Sequence, residues 1–270
     1  MTEENNLPSE AGGLPPASQK TKEQWLEEGN VLAFYAPFRR EEALATYEQA
    51  LRLDPTYSLA RRMKGSTLRA LRRYEEALAA YEQAISLDAT DAEAYTGKGN
   101  TLYGLKRYEE ALTAYEQALR LDPTSAEASN GKAISLVFLN RAEEALAAYE
   151  QVIHLDDDPV YSYLAYMNSG TLLASLSRYE EALAAYEGAI RFNPKHGPKN
   201  ATAHVSKGVT LENLARYEEA LAAYQEANRL EPNDAGIWRS IGDVLTALER
   251  PDEAQQAYEK ARQLDSGGET

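Results

Sequence analysis

The sequence predicts an all-α fold built from a stacked series of helix pairs, and three observations support this prediction. An alanine followed four residues later by a tyrosine recurs in register seven times, from Ala43–Tyr47 to Ala254–Tyr258. These alanines recur every 34 residues as far as Ala145, then after 37, 38 and 34 residues. Such a period indicates a repeat array rather than one large core. Each period also contains two stretches with helical spacing of apolar residues, rich in strong helix formers.

The two chain ends are predicted to lie outside the array. Residues 1–21 have prolines and glycines between Gly12 and Pro16, little apolar content and no periodicity. Such a segment buries too little apolar surface to offset the entropy lost on ordering, so a disordered N-terminal tail is expected. Residues 269–270 are expected to be disordered as well.

Each repeat is predicted to contain two helices joined by a short polar turn, as residues 92–125 illustrate. Tyr95 and Leu102 share one face of the first helix, and Ala111 and Tyr115 share one face of the second. A proline after the second helix prevents its continuation, because proline lacks an N–H group. Glycine recurs in the first helices, where it costs about 1 kcal/mol relative to alanine. A neighbouring helix is therefore expected to approach closely at these glycines.

The order of residues in this repeat resembles the tetratricopeptide repeat (TPR). The matching positions are Tyr95, Gly99, Leu102, Tyr108, Ala111, Tyr115, Ala118 and Pro123. The resemblance covers residues 22–268, in repeats 22–57, 58–91, 92–125, 126–159, 163–196, 201–234 and 235–268. It implies a right-handed superhelical solenoid of antiparallel helix pairs. Departures from the pattern are local substitutions, and none of them threatens the fold.

Both ends of the array depart from the inner repeats. The first repeat carries two extra residues in the sequence AFYAPFRR, where Phe34, Tyr35 and Phe38 lie close together. These aromatic residues are interpreted as a seal for the N-terminal end, with a docking patch as the alternative. In the last repeat, Gln255 and Arg262 replace the apolar residues that inner second helices direct at the next repeat. A polar outer face is typical of a terminal repeat and disfavours end-to-end stacking there.

Composition limits the partners and the compartment. The chain has 28 lysine and arginine residues against 43 aspartate and glutamate residues, a formal charge of −15. This balance disfavours nucleic acids and anionic membranes as partners. The chain has no cysteine, so it can form neither a disulfide nor a thiolate metal site. The N-terminus does not resemble a signal peptide, and no stretch reaches the roughly 18 apolar residues of a membrane span. A cytoplasmic protein is expected.

The TPR resemblance implies that the first helices line a concave inner face and that this face binds partners. Helical spacing places a continuous run of apolar side chains at its middle. This inner stripe consists of Tyr103, Ile134, Val137, Phe138, Leu164, Met167, Val205 and Val209. Asn100 and Asn130 flank the stripe and offer amides to a peptide backbone, and Thr171 lies on the same face.

A sizeable exposed apolar surface usually marks a contact site, so the inner stripe is expected to bind a peptide or helical segment of another protein. The alternative is that the projection is wrong by one residue, in which case these side chains pack between helices.

The two longer intervals provide a second candidate site. Asp156–Ser162 adds three residues to the repeat and Asn193–Asn200 adds four, and insertions in repeat arrays are expected to form loops near a partner. The rim of the groove is then interpreted as formed by Tyr161, Tyr163 and Tyr166. The acidic run Asp156–Asp158 lacks the spacing of a calcium-binding loop, so an acidic turn is expected rather than a metal site.

No catalytic constellation is recognisable in the sequence. A Walker loop, a zinc-binding HExxH, a nucleophile elbow and a glycine-rich dinucleotide turn are all missing from it. Neither an enzyme nor a cofactor is expected. The favoured function is a scaffold or adaptor that binds another protein. The alternative is a structural or self-associating module that uses the first repeat, and otherwise a monomer is expected.

Overall fold

The computed structural model describes residues 20–155, 159–192 and 198–266, without the side chains of residues 198–200. Its contacts divide the chain into two compact units, Met1–Ala89 and Thr90–Thr270. The described residues form fourteen α-helices and one short 3₁₀ helix, with no strand among them. The predicted all-α class is therefore confirmed. The predicted tails lie outside the described residues, apart from Lys20 and Thr21, and so does the acidic run Asp156–Asp158.

The first unit contains two helix pairs and the 3₁₀ helix. The helices are α1 (Lys22–Tyr35), the 3₁₀ helix (Pro37–Arg39), α2 (Arg40–Leu53), α3 (Ser58–Ala70) and α4 (Tyr74–Leu87). Thr21, predicted to belong to the tail, instead caps α1 through a capping box with Gln24. Reciprocal side-chain bonds of this kind satisfy backbone N–H groups at a helix start, which fixes where α1 begins.

The second unit contains five helix pairs. The first helices are α5 (Ala92–Gly104), α7 (Ala126–Phe138), α9 (Pro159–Ser175), α11 (Pro198–Asn213) and α13 (Ala235–Ala247). The second helices are α6 (Tyr108–Leu121), α8 (Ala142–Leu155), α10 (Tyr179–Phe192), α12 (Tyr217–Leu230) and α14 (Pro251–Ser266).

The turn inside a helix pair follows one design in every pair but the first, where the 3₁₀ helix joins α1 and α2. In each of these turns, the second residue after the first helix has a positive φ, between 55° and 61°. These residues are Arg72, Lys106, Asn140, Ser177, Ala215 and Glu249. The next residue is an arginine that pairs with a glutamate three residues later, as Arg107 does with Glu110. The N–H of that arginine also bonds back to the carbonyl of the core leucine, which closes the turn.

The core repeats the same side chains in each pair. A tyrosine from the second helix, such as Tyr115 or Tyr224, is almost completely buried beside an alanine of its own helix. A leucine from the first helix, such as Leu102 or Leu211, fills the space within the pair. This regular packing fixes the orientation of each first helix and therefore of the candidate site residues on it.

The two longer intervals lengthen helices, which corrects the expectation that they form loops. Helix α9 has 17 residues and α11 has 16, whereas α5, α7 and α13 have 13 each. Both longer helices begin with a proline, Pro159 or Pro198, a residue well suited to the first turn of a helix. The insertions therefore add about one turn to the start of the next first helix. Residues 156–158 and 193–197 lie outside the described residues.

Candidate functional site

The inner face of the second unit has one position whose chemistry alternates between repeats. It lies two residues before the core leucine and holds Asn100 in α5, Ile134 in α7, Thr171 in α9 and Val209 in α11. We call it the alternating position. Because each of these four repeats also carries a buried tyrosine, the residue at this position determines which group the tyrosine hydroxyl contacts.

At polar alternating positions the tyrosine hydroxyl binds within its own repeat. The Tyr115 hydroxyl donates to Asn100 Oδ1 at 2.8 Å, and the hydroxyl groups of Tyr186 and Thr171 lie 3.3 Å apart. Asn100 Nδ2 also donates to Glu127 Oε1 at 2.8 Å. Asn100, a predicted peptide-binding residue, therefore uses both its amide oxygen and its amide nitrogen inside the array.

At apolar alternating positions the tyrosine hydroxyl finds another partner. Tyr149 hydrogen bonds to the side chain of Asn168, which lies on the next first helix. Tyr224 donates to Glu212, one turn further along α11. Burial raises the pKa of both tyrosines, so their hydroxyls stay protonated and remain hydrogen-bond donors at neutral pH. The residues at these two alternating positions, Ile134 and Val209, therefore do not have to supply a hydrogen-bond partner for the tyrosine.

Much of the inner stripe is half-buried against the core. Ile134 and Val137 pack on the cluster that contains Leu136 and Tyr149. Met167 packs on two clusters, and Leu164 and Val205 each pack on one. Each of these side chains therefore packs on the core with one part and is exposed with another. The sequence leaves open whether the stripe is exposed for binding or packed between helices, and these side chains do both.

An aromatic cluster stands at the end of α7. The Phe138 ring stacks on Tyr108 with ring centroids 4.7 Å apart, and Tyr103 meets Phe138 edge-on at 5.6 Å. Phe138 nevertheless remains 51% exposed. Sequence reasoning placed Tyr103 and Phe138 in the stripe but missed Tyr108, because a tyrosine recurs at this point of most second helices and gives no distinguishing signal.

The remaining polar candidates on the inner face differ in accessibility. Asn130 is only 9% exposed, and its Oδ1 is buried without a hydrogen-bond partner among the described residues. Thr171 is exposed, but its hydroxyl donates to the Met167 carbonyl at 2.9 Å. Thr171 is therefore more accessible than Asn130 to a bound segment.

The three tyrosines predicted at the rim pack into the array. Tyr163 is 7% exposed, and Tyr161 is half-buried against the core. The Tyr166 ring lies over Gly188, where a methyl group would overlap it, and tilts against Phe192 at 5.4 Å. Because helix α9 begins at Pro159, these residues lie on a packed helix rather than in a loop. We leave them out of the proposed surface.

A groove of about 710 Å³ lies at the end of the last helix pair. It exposes the same kind of surface that Tyr115 and its neighbouring alanines present to the next helix, here Ala254, Tyr258 and Ala261. Gln255 and Arg262 line its edge. These polar side chains occupy the positions that the sequence analysis assigns to a terminal cap.

Two further searches of the described residues gave negative results. No group of three or more histidine, cysteine, aspartate or glutamate side chains there has the geometry to hold a metal ion. Within the same ranges, no helix combines the length and apolar character that crossing a membrane requires.

Known proteins identify the family. A tetratricopeptide repeat model matches residues 39–92, 62–126, 96–158, 130–197, 168–235 and 205–269. The chain belongs to the tetratricopeptide repeat family. The predicted TPR resemblance is thereby confirmed, and proteins of this fold typically mediate protein–protein interaction. No curated protein sequence matches this TPR protein.

Three solved structures with the same fold align with this chain over nearly their whole length. YrrB, described as a TPR protein with an unusual peptide-binding site, is 25% identical, with 75% of this chain and 97% of YrrB covered and a TM-score of 0.56. PilF of Pseudomonas aeruginosa is 18% identical, with 84% and 97% covered and a TM-score of 0.65. MamA of Desulfovibrio magneticus RS-1 is 20% identical, with 66% and 97% covered and a TM-score of 0.57. The last two likenesses concern the fold alone.

Proposed function

We propose that this TPR protein is a non-enzymatic scaffold whose inner stripe binds a peptide or helical segment of another protein. The observation that carries the proposal is a run of apolar side chains on α7, α9 and α11 in which Phe138 is 51% and Val209 45% exposed. Partly exposed apolar side chains that follow one another along a surface are typical of contact sites, whereas single ones are not. The chemistry of this surface can be followed from one helix to the next.

The junction between α5 and α7 differs from the next junction along the chain. At the first junction, Asn100 and Glu127 form a hydrogen bond. The equivalent residues at the second junction are Ile134 and Leu164, and both are half-buried. An apolar pair therefore replaces a polar one, and it can contact a partner without breaking hydrogen bonds inside the array.

Helix α9 continues the apolar character of the surface. It contains no charged residue between Pro159 and Ser175, whereas the chain as a whole carries a charge of −15. A partner docked on α9 is thus selected by apolar anchors rather than by opposite charge. Such recognition is typical of segments that insert a few apolar side chains into a groove. The likeness to YrrB, a peptide-binding TPR protein, supports a peptide as the ligand class.

Phe138 is the clearest anchor on this surface. The other first helices of the second unit carry small or polar residues at its position, namely Gly104, Ser175, Asn213 and Ala247. An aromatic residue there is consequently not part of the repeat design. Its face is held by Tyr108 and its edge by Tyr103, so little side-chain entropy is lost when a partner contacts it.

Peptides selected from a random library against the full chain provide the test. Replacing Phe138 with Asp, or Val209 with Asp, is expected to weaken binding of the selected peptides at least tenfold, which corresponds to about 1.4 kcal/mol. The reason is that a carboxylate would have to be desolvated against apolar anchors. Titration calorimetry with the purified variants measures the loss.

A matched control is Leu121→Asp. Leu121 is 41% exposed, but it recurs as Leu53 and Leu87 at the ends of other second helices. Its substitution is expected to leave peptide binding unchanged. The helical melt of each variant checks folding. Met167→Asp is a poorer test, because Met167 packs on two core clusters. Selected peptides that bind the Phe138 and Val209 variants as tightly as the parent would refute the proposal.

Self-association through the first repeat is a second candidate function. The observation that favours it is the exposure of Phe34, Tyr35 and Phe38 in the first unit. Light scattering across a hundredfold range of concentration tests it, and a constant monomer mass would argue against it. The expected cytoplasmic location and the expected exclusion of nucleic acids and membranes as partners stay predictions.

A further inference from the structure

The groove beside α14 exposes a surface that inner repeats cover. We call it the terminal groove; its volume is about 710 Å³, and Tyr258 is part of its lining. The equivalent inner tyrosines, Tyr115, Tyr149 and Tyr224, are 0–2% exposed, because each is also in contact with the next first helix. Tyr258 packs on Gly242 of its own repeat but is only half-buried. One side of the tyrosine packing is therefore left open to a partner.

One ion pair recurs between a second helix and the first helix that covers it. The glutamate directly after the buried tyrosine pairs with a lysine of the next first helix, at nitrogen–oxygen distances from 2.8 to 3.9 Å. The pairs are Glu48–Lys64 in the first unit, and Glu116–Lys132 and Glu187–Lys207 in the second. In α7, this lysine directly follows Gly131, the residue that meets the Tyr115 ring. A small residue followed by lysine is thus how α7 covers α6.

Helix α14 carries the same glutamate but pairs it with no lysine. Glu259 follows Tyr258, is exposed, and accepts a hydrogen bond from Gln255 at 2.9 Å. Across residues 20–155, 159–192 and 198–266, no cation forms an ion pair with it. The terminal groove therefore presents the acidic half of an ion pair whose basic half, in the inner repeats, belongs to the covering helix.

The hydrogen bonds of Tyr258 indicate which residue fits opposite its ring. The hydroxyl donates to Asp243 Oδ1 at 2.8 Å and lies 3.3 Å from Thr246 Oγ1. Asp243 stands at the alternating position of α13, as Asn100 does in α5. The hydroxyl is thus satisfied within its own repeat, as is that of Tyr115, whose ring is covered by a glycine. A helix that covers Tyr258 needs only a small residue there.

We propose that the terminal groove docks a helix of another protein in which a small residue is followed by lysine. The small residue packs on the Tyr258 ring, and the lysine pairs with Glu259. The docked helix lies on α14 as α7 lies on α6, so the interface continues the packing between repeats. Gln255 and Arg262 form a polar rim around this centre. An apolar centre with a polar rim is typical of interfaces between proteins that also exist apart.

A second copy of this chain does not supply such a helix through α1. Counted back from the buried Leu32, the places of Gly131 and Lys132 are taken in α1 by Glu27 and Glu28. Stacking α1 on α14 would bring Glu28 toward Glu259, and like charges across an interface suppress the wrong partner. Each copy also carries a charge of −15, so two copies repel one another. The occupant is therefore a different protein.

A peptide with the sequence of residues 125–139 tests the proposal on the full chain, because it contains Gly131 followed by Lys132. A hydrocarbon staple that replaces Asn130 and Ile134 keeps this short peptide helical, which circular dichroism verifies. Titration calorimetry is expected to show binding, and amide shift changes are expected in α14. A Gly131→Leu peptide should bind about tenfold more weakly, because the larger side chain overlaps the Tyr258 ring.

Charge reversal tests the ion pair. Glu259→Lys is expected to weaken binding of the peptide about fivefold, and a Lys132→Glu peptide should recover most of this loss on the same variant. The matched control is Glu116→Lys, the same reversal on α6, which the chain's own α7 covers. It should leave peptide binding unchanged. Both glutamates are exposed, so the helical melts of the two variants should stay close to that of the parent.

Three results would overturn the proposal. The first is a helical peptide that does not bind, and the second is equal binding to the parent and to Glu259→Lys. The third is loss of binding in Phe138→Asp, which would assign the peptide to the inner stripe. The proposed function stands or falls separately, because the inner stripe lies on other helices than α14.

Discussion

Tyr115 and Tyr149 occupy equivalent places in neighbouring repeats but are held in different ways. The Tyr115 ring lies between Gly99 and Gly131, and a methyl group on either glycine would overlap it. Its hydroxyl donates to Asn100 in its own repeat. Tyr149 instead has Ala133 and Asn168 at the two glycine positions, and its hydroxyl bonds to Asn168.

This difference explains how an apolar inner surface can form in an array whose repeats, apart from the last, each bury a tyrosine. A buried hydroxyl needs a partner, since an unsatisfied one costs about 1–3 kcal/mol. Where the partner is Asn100, the alternating position must be polar. Where the partner is Asn168 on the next helix, the alternating position is free to be Ile134. The binding surface proposed here therefore depends on a change of hydrogen-bond partner beneath it.

The largest expected effect comes from filling the space beside Tyr115. Gly131→Ala places a methyl group against a ring that is 1% exposed and cannot move toward solvent. Overpacking of this kind costs about 1–3 kcal/mol, and we expect a value near 2 kcal/mol. Urea denaturation followed by circular dichroism measures the change in unfolding midpoint.

Gly236→Ala is the control for this substitution. The nearest atom to a methyl group at Gly236 is an oxygen of the Asp234 carboxylate, which caps α13 near the surface and can shift slightly without repacking the core. Its midpoint should therefore change much less than that of Gly131→Ala. Equal midpoints for the two variants would show that the Tyr115 ring can shift, and that its glycine sandwich is not a rigid constraint.

A double-mutant cycle of Tyr149→Phe and Asn168→Ala measures the alternative arrangement directly. Each single variant removes the hydrogen bond between α8 and α9, so the two effects should not add. We expect a coupling energy of about 1 kcal/mol, the usual net contribution of such a bond. Additive effects would mean that Asn168 is not the hydrogen-bond partner of Tyr149, and that the presence of Ile134 needs another explanation.

The smallest expected effect concerns His204, on the other helix with an apolar alternating position. Burial lowers the pKa of His204, Lys207 and Arg229 lower it further, and Glu226 opposes them. At a pH below 6.5, the ordinary pKa of histidine, the unfolded chain then binds more protons at this residue than the folded chain does. The stability that neutral His204 contributes is present above that pH and is lost as the pH falls through the lower folded pKa.

His204→Tyr should flatten this dependence, because it replaces the imidazole with a phenol, whose ordinary pKa is about 10. A tyrosine, Tyr95, already occupies the equivalent position in α5. Between pH 7.5 and 5, we expect the melting temperature of the parent to fall further than that of the variant, by on the order of 1–3 °C. Parallel curves for the two proteins would contradict this expectation.

Sequence reasoning predicted the helix pairs well because their determinants are local. The alanine–tyrosine spacing, the helical spacing of apolar residues and the proline after the second helix are all readable within one repeat. It predicted the site less completely. Whether Met167 or Phe138 is exposed depends on contacts between helices, and helical spacing cannot resolve a rotation of one residue. The role of Asn100 was likewise out of reach, because its partner Tyr115 lies on the other helix of the repeat.

The sequence by itself determined the all-α class, the repeat and the family, because a period of 34 residues and its small residues specify how one helix packs on another. Only the tertiary structure decided that the two insertions lengthen α9 and α11, and that the rim tyrosines are packed. It also decided which inner side chains remain exposed. The physical reason is that each of these outcomes depends on close packing against the neighbouring helix. The spacing of residues along one helix does not specify which side chains of the next helix pack on it.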